Sequence, residues 1–266
     1  MDEKINLDFE DFSTEPFLES LVKDLQDQDP VFLIGIFVAI AVVVITIVFL
    51  KYFLGGQTTR SAVLLVGLCD SGKTLLFSRL LLGKFKRTQT SITESSAVYK
   101  AKNERGTSWT LIDLPGHESL RLQFLDRFKG SARAIVFVID SAIFQKEVRD
   151  VAEFLYFLLT DSVISKNAPT VVVACNKQDI TMAKSAKLIQ QQLEKELNTL
   201  RVTRSAALTS QDGSVGGSVH LGKKGKDFEF SQLPMRVEFV ECSARSSKGE
   251  DGEGDTEALE KSLARL

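Results

Sequence analysis

Lys73 and Thr74 close the stretch GLCDSGKT, residues 67–74, which fits G-x-x-x-x-G-K-[ST]. That spacing wraps a phosphate chain. The loop Gly67, Leu68, Cys69, Asp70, Ser71, Gly72, Lys73 and Thr74, with Leu75 beyond it, presents its backbone N–H groups from 68 to 75 to phosphate oxygens. A helix starting there adds only about half an elementary charge. A triphosphate needs more cation than that. Lys73 supplies one charge, and the Thr74 hydroxyl is placed to ligate Mg²⁺, which supplies the rest.

Three further stretches carry compatible chemistry. In DLPGH, 113–117, Asp113 ends an apolar strand and faces the metal, through water. Gly116 can offer its N–H to the terminal phosphate with no side chain in the way. In NKQD, 176–179, Asp179 has two acceptor oxygens for the N1–H and exocyclic amine of guanine, a donor pair that adenine lacks on that edge. Lys177 lays its stem along the purine, and Asn176 ties this loop to the phosphate loop. In CSA, 242–244, the N–H of Ala244 is in range of the guanine oxygen.

Alternating strand-like and helix-like stretches must position these residues. SAVLLVG (61–67) reads as a buried strand entering the phosphate loop, and KTLLFSRLLL (73–82) as the helix leaving it. AVYKAK (97–102) and SWTLIDL (108–114) read as a strand pair joined by NERG. ARAIVFVID (132–140), PTVVVACNK (169–177) and RVEFVECSA (236–244) read as further strands. Helices are expected near 145–160, 182–200 and 255–266. This alternation predicts an α/β fold, a mostly parallel sheet with helices on both faces. Two polar segments interrupt it: 205–232, rich in Ser, Gly and Lys and expected as a flexible insertion, and the connector 246–254.

Residues 31–50, VFLIGIFVAIAVVVITIVFL, contain no charge. As a helix they extend about 30 Å, the thickness of the bilayer hydrocarbon core. The 30 residues before them are mostly acidic where charged, unlike the short basic start of a signal peptide. The expected organisation is a lumenal tail (1–30), a transmembrane helix (31–53), a linker (54–60) and a cytosolic domain (61–266). Lys51 and Arg60 after the span, against Asp24, Asp27 and Asp29 before it, put the carboxyl-terminal part in the cytosol. Within the tail, Phe17, Leu18, Leu21, Val22 and Leu25 recur at helical spacing, which suits either a short amphipathic helix or a partly ordered acidic tail. The balance of 33 basic and 35 acidic side chains argues against direct DNA binding. Cys69, Cys175 and Cys242 are too scattered for a zinc site or a disulfide framework and read as reduced thiols.

In this order and spacing the four motifs resemble those of the small GTPase superfamily, with its phosphate-loop fold. GLCDSGKT is similar to the Arf/Sar branch. Together with TQTSIT (88–93), LIDLPGHESLR (111–121), ACNKQDI (174–180) and the amino-terminal span, the chain resembles the beta subunits of the signal recognition particle receptor. The resemblance covers 61–266 apart from the insertion. It implies GTP and Mg²⁺ as cofactors and an anchor in the endoplasmic reticulum membrane. It also implies a heterodimer with the receptor's alpha subunit, bound through the switch regions, and a role in co-translational targeting of secretory and membrane proteins. Contacts with ribosome or translocon fit the same role.

The resemblance also assigns residues 88–91 (Thr88, Gln89, Thr90, Ser91) to the nucleotide-contacting switch. Ser91 lies 17 residues after Thr74, the family spacing for the second Mg²⁺ hydroxyl, with Thr90 as the alternative. His117 stands where many relatives carry the glutamine that orients the attacking water. It either positions that water or packs in the switch. With no arginine clearly placed to act in cis, turnover is expected to be slow and partner-dependent. Two other readings stay open: a cycling vesicle-trafficking GTPase, and a module that holds GTP structurally with negligible turnover.

Overall fold

The computed structural model describes residues 30–54, 60–101, 106–208, 220–223, 225–246 and 252–266. The tail with its apolar spacing, most of the linker, most of the NERG turn, the middle of the polar insertion and most of the second polar connector lie outside the described residues. Two compact units are present, 1–57 and 58–266.

The first unit contains α1 (Pro30–Leu54), a helix of 25 residues and so about 37 Å long. Its described side chains are those of Ile34, Gly35 and 37–47, and the large ones among them, including Phe37, Val43 and Ile45, are exposed. Among the described side chains of α1 no apolar run is long enough to cross a membrane.

The second unit holds a six-stranded sheet. Its strands are β1 (Ala62–Val66), β2 (Ser95–Lys100), β3 (Ser108–Asp113), β4 (Ala132–Asp140), β5 (Thr170–Asn176) and β6 (Val237–Glu241), in the spatial order β2-β3-β1-β4-β5-β6. β2 runs antiparallel to β3, and every other pairing is parallel. The expected mostly parallel sheet is therefore present.

Alternation along the central strands builds two cores. Leu64, Val66, Ile135, Phe137, Val171 and Val173 face one way. There they meet α3 (Glu118–Phe128), α4 (Phe144–Thr160), α5 (Ser162–Asn167) and α6 (Ala186–Leu208). Val63, Leu65, Val136, Val138, Val172 and Ala174 face the other way, under α2 (Lys73–Leu82) and α7 (Glu257–Ala264). Burial on both faces is why β1, β4 and β5 read as continuous apolar runs.

Two elements and one segment differ from expectation. α3 was not foreseen. Its sequence is polar enough to expose most of the helix, and Leu125 is its one fully buried residue. α5 was not foreseen either. It is six residues long, capped by the Asp161 carboxylate on the N–H groups of Val163 and Ile164. The 205–232 segment is not uniformly a flexible insertion. Residues up to Leu208 continue α6. Leu221, Phe228 and Phe230 are buried in the first core, with Phe228 and Phe230 packed edge to face at 5.3 Å. Three apolar side chains in a polar stretch suffice to pin it, because they join the core that α6 and β6 also line, with the Phe230 ring 5.0 Å from that of Phe239 in β6. Cys175 and Cys242 are buried free thiols.

Candidate nucleotide site

The parallel strands all deliver their carboxyl ends to one edge of the sheet. There β1 runs into the phosphate loop, β3 into DLPGH, β4 into Asp140 and β5 into NKQD. A cavity of ≈ 270 Å³ opens at this edge. It is lined by the loop from Cys69 to Leu75 except Ser71, by Thr88, Gln89, Thr90 and Ser91, and by Gly116. Gly67 and Leu68 lead into it from β1.

The loop holds its own shape. Ser71 Oγ donates to the Leu68 carbonyl at 2.9 Å, and Lys73 Nζ donates to the same oxygen at 2.7 Å. Gly72 caps α2 in a left-handed conformation (φ 89°), and a Cβ there would sit 2.4 Å from Asn176 Nδ2. Only glycine meets both conditions. Gly116 is tight for a different reason. A Cβ would lie 2.4 Å from Lys73 Nζ and 2.8 Å from the Leu68 carbonyl. Gly116→Ala therefore has to displace the lysine head. We expect at least tenfold weaker nucleotide binding, with fold stability lowered by about 1–3 kcal/mol. Titration with a fluorescent guanine nucleotide, beside a thermal melt, separates the two effects.

Thr74, Ser91 and Asp113 form one oxygen cluster. Thr74 Oγ1 donates to Asp113 Oδ2 at 2.7 Å and lies 2.9 Å from Ser91 Oγ. Of the two switch hydroxyls considered for the metal, Ser91 is in this cluster, and Thr90 lines the cavity. Asp113 is fully buried, and its second oxygen, Oδ1, has no hydrogen-bond partner. Burial pushes the Asp113 carboxyl above its usual range, against the Thr74 hydroxyl, Lys73 and Ser91. Burial likewise pulls Lys73 down, with Asp113 opposing. An orphaned buried carboxylate oxygen beside two hydroxyls is an all-oxygen donor set suited to a hard divalent cation. The residues fit Mg²⁺: Thr74 and Ser91 would hold it, with Asp113 behind them.

At the neighbouring strand ends, Asn176 joins two loops. Its Nδ2 donates to the Ser71 carbonyl at 2.8 Å, and its Oδ1 accepts from Ala244 N at 3.0 Å. The Ala244 N–H is thus engaged by Asn176 in this arrangement, where the sequence suggested a guanine oxygen. Asp179 Oδ1 accepts from Ser243 Oγ at 2.5 Å, which orients the carboxylate. Lys177 adopts φ 66°, and its Nζ pairs with Asp140 Oδ2 at 2.6 Å. His117 is exposed, and its Nδ1 accepts from Ser119 N at 3.3 Å, capping α3.

Sequence reasoning passed over two contributors. Asp140 is buried at the end of β4. It fixes Lys177 and accepts from Ala142 N. A lone carboxylate ending an apolar strand was its signal. Arg79, buried within α2, donates to the carbonyls of Ala244, Gly83 and Gly252, tying the phosphate helix to the base-side loop. Its signal was a single arginine inside KTLLFSRLLL.

Sheet order, phosphate loop and switch hydroxyls together define a phosphate-loop domain of the small GTPase type. A profile of the signal recognition particle receptor beta subunit family matches residues 58–237. The Rattus norvegicus signal recognition particle receptor subunit beta is 64% identical over 252 residues, covering 95% of this chain and 93% of its own. The solved structure of the mammalian signal recognition particle receptor superposes with a TM-score of 0.67 at 67% identity, covering 77% of this chain and 98% of that one. The GDP- and Mg-containing receptor beta structure from Chaetomium thermophilum gives a TM-score of 0.58 at 26% identity, covering 79% and 99%. The chain belongs to the signal recognition particle receptor beta subunit family.

Proposed function

We propose that the chain binds GTP with Mg²⁺ and, in that state, holds the receptor's alpha subunit at the endoplasmic reticulum membrane for co-translational targeting. The observation that carries this is the Thr74–Ser91–Asp113 cluster. It links the phosphate loop to the switch stretch through hydroxyls, so occupancy of the phosphate site biases the switch. Mg²⁺ held there would neutralise phosphate charge. The chain's own part is to cradle the phosphates with the loop N–H groups and Lys73, and to read guanine with Asp179.

A partner surface adjoins the switch in the chain. Ile92, immediately after Ser91, is 75% exposed, and Val98 on the edge strand β2 is 65% exposed. An edge strand beside exposed apolar side chains suits strand or apolar docking. Membrane anchorage rests on the uncharged run 31–50 within α1, with the amino terminus lumenal and 58–266 cytosolic.

Turnover is slow on this reading. His117 Nδ1 accepts from Ser119 N, so one ring nitrogen is engaged in capping α3. That favours GTP held as a clamp over a freely cycling enzyme. The test loads 58–266 with radiolabelled GTP and follows it for hours, alone and with the alpha subunit's amino-terminal domain. Intact GTP in a stable complex is expected, with His117→Ala changing hydrolysis less than twofold. Rapid partner-stimulated hydrolysis followed by dissociation, abolished in His117→Ala, would make the chain a timed switch.

A further inference from the structure

The sheet edge opposite the nucleotide site carries a second cavity, of ≈ 240 Å³. Four arginines line it from separate parts of the chain. Arg60 comes just before β1, Arg133 is near the start of β4, Arg236 comes just before β6, and Arg265 follows α7. Glu238 is the one acidic side chain that lines it with them, so positive side chains outnumber negative ones there.

The internal pairing does not consume that charge. Glu238 is shared between Arg236 at 3.2 Å and Arg265 at 3.4 Å, and those two side chains remain 60% and 55% exposed. Arg60 spends its donors on the neutral Asn167, at 2.8 and 2.9 Å. Arg133 lies over the Trp109 ring and donates to the Leu266 carbonyl. Planar guanidinium groups gathered in one concavity can donate paired N–H bonds to the oxygens of a phosphate.

We propose that this arginine pocket is a docking surface for anionic phospholipid headgroups of the membrane that anchors the chain. It rests on the reading of α1 as that anchor. Arg60 is six residues beyond Leu54, a length of chain that extends no more than about 20 Å. The arginines therefore stand on the part of the domain where the chain enters it. The nucleotide and switch loops leave from the other ends of the same strands. Headgroup binding here fixes the domain's orientation and leaves the switch side toward the cytosol and the partner. The overall charge of −2 favours this over a nucleic acid ligand.

Residues 58–266 contain every strand among the described residues and both cores, so this unit serves for the test. Its sedimentation with phosphatidylcholine vesicles is compared with that on vesicles holding 30% phosphatidylserine, at low and at physiological salt. We expect binding to the anionic vesicles alone, weakened by salt. Arg236→Gln with Arg265→Gln should weaken it about fivefold per arginine, the order one basic residue contributes at an anionic leaflet. Guanine nucleotide affinity should be unchanged. Equal binding to both vesicles, or no effect of the double variant, overturns the proposal. So does displacement by millimolar inorganic phosphate as complete as by vesicles, which would make this a free-anion site, or tighter binding to a structured RNA than to vesicles. Alkaline extraction of the full chain reports separately on α1. If the chain is extracted, the anchor reading fails, whatever the vesicles show.

Discussion

Asp179→Asn lowers GTP affinity by roughly 10⁴-fold and admits xanthosine triphosphate in its place. On the proposed reading, the aspartate's two acceptors face guanine's N1–H and exocyclic amine. In the variant one of the two acceptors becomes an N–H₂ donor. That sets donor against donor on guanine, and the buried mismatch is costly. Xanthine carries a carbonyl where guanine carries its amine, which restores the pair. Competition titrations with both triphosphates measure the exchange. Equal loss of both would mean that Asp179 only supports the loop.

Asp113→Asn has opposite effects on the free and the loaded domain. The carboxylate is fully buried with Oδ1 unpartnered, and burial raises its pKa. An acid whose folded pKa is raised binds more protons folded than unfolded. Stability therefore falls as pH climbs from the unfolded pKa through the folded one. At neutral pH, without a cation, the charge works against the fold, so the neutral amide raises the melting temperature of the nucleotide-free domain. The loaded domain behaves differently. With ligand at a thousandfold excess over Kd, the wild type gains about 4 kcal/mol, roughly 8–16 °C for a domain of this size. Asp113→Asn loses most of the Mg²⁺-dependent part of that gain. Paired melts with and without Mg·GTP check both signs. A destabilised free domain would make Asp113 a structural residue first.

The phosphate loop and the central strands were legible because their signals are local. A five-residue strand buried on both faces is a short apolar run, and GLCDSGKT fixes its own turn. The contact between the Thr74 and Ser91 hydroxyls was legible through their 17-residue spacing. The selection of Ser91 over Thr90 was not, since adjacent hydroxyls differ only in where the backbone aims them. Arg79 meets Ala244 across 165 residues, and Lys177 meets Asp140 across 37. No local pattern marks such pairs. Composition misled at 220–232, where abundant Gly, Ser and Lys outweighed the few apolar residues that anchor the segment. α3 was hidden because it exposes most of its surface and carries little apolar periodicity.

The most direct test of nucleotide control over the partner is one titration. The alpha subunit's amino-terminal domain is added to residues 58–266 loaded with GTP and Mg²⁺, and then to the same domain loaded with GDP. Coupling through Ser91 and Thr74 predicts about 100-fold tighter binding to the GTP form. Equal affinities for the two forms would contradict it.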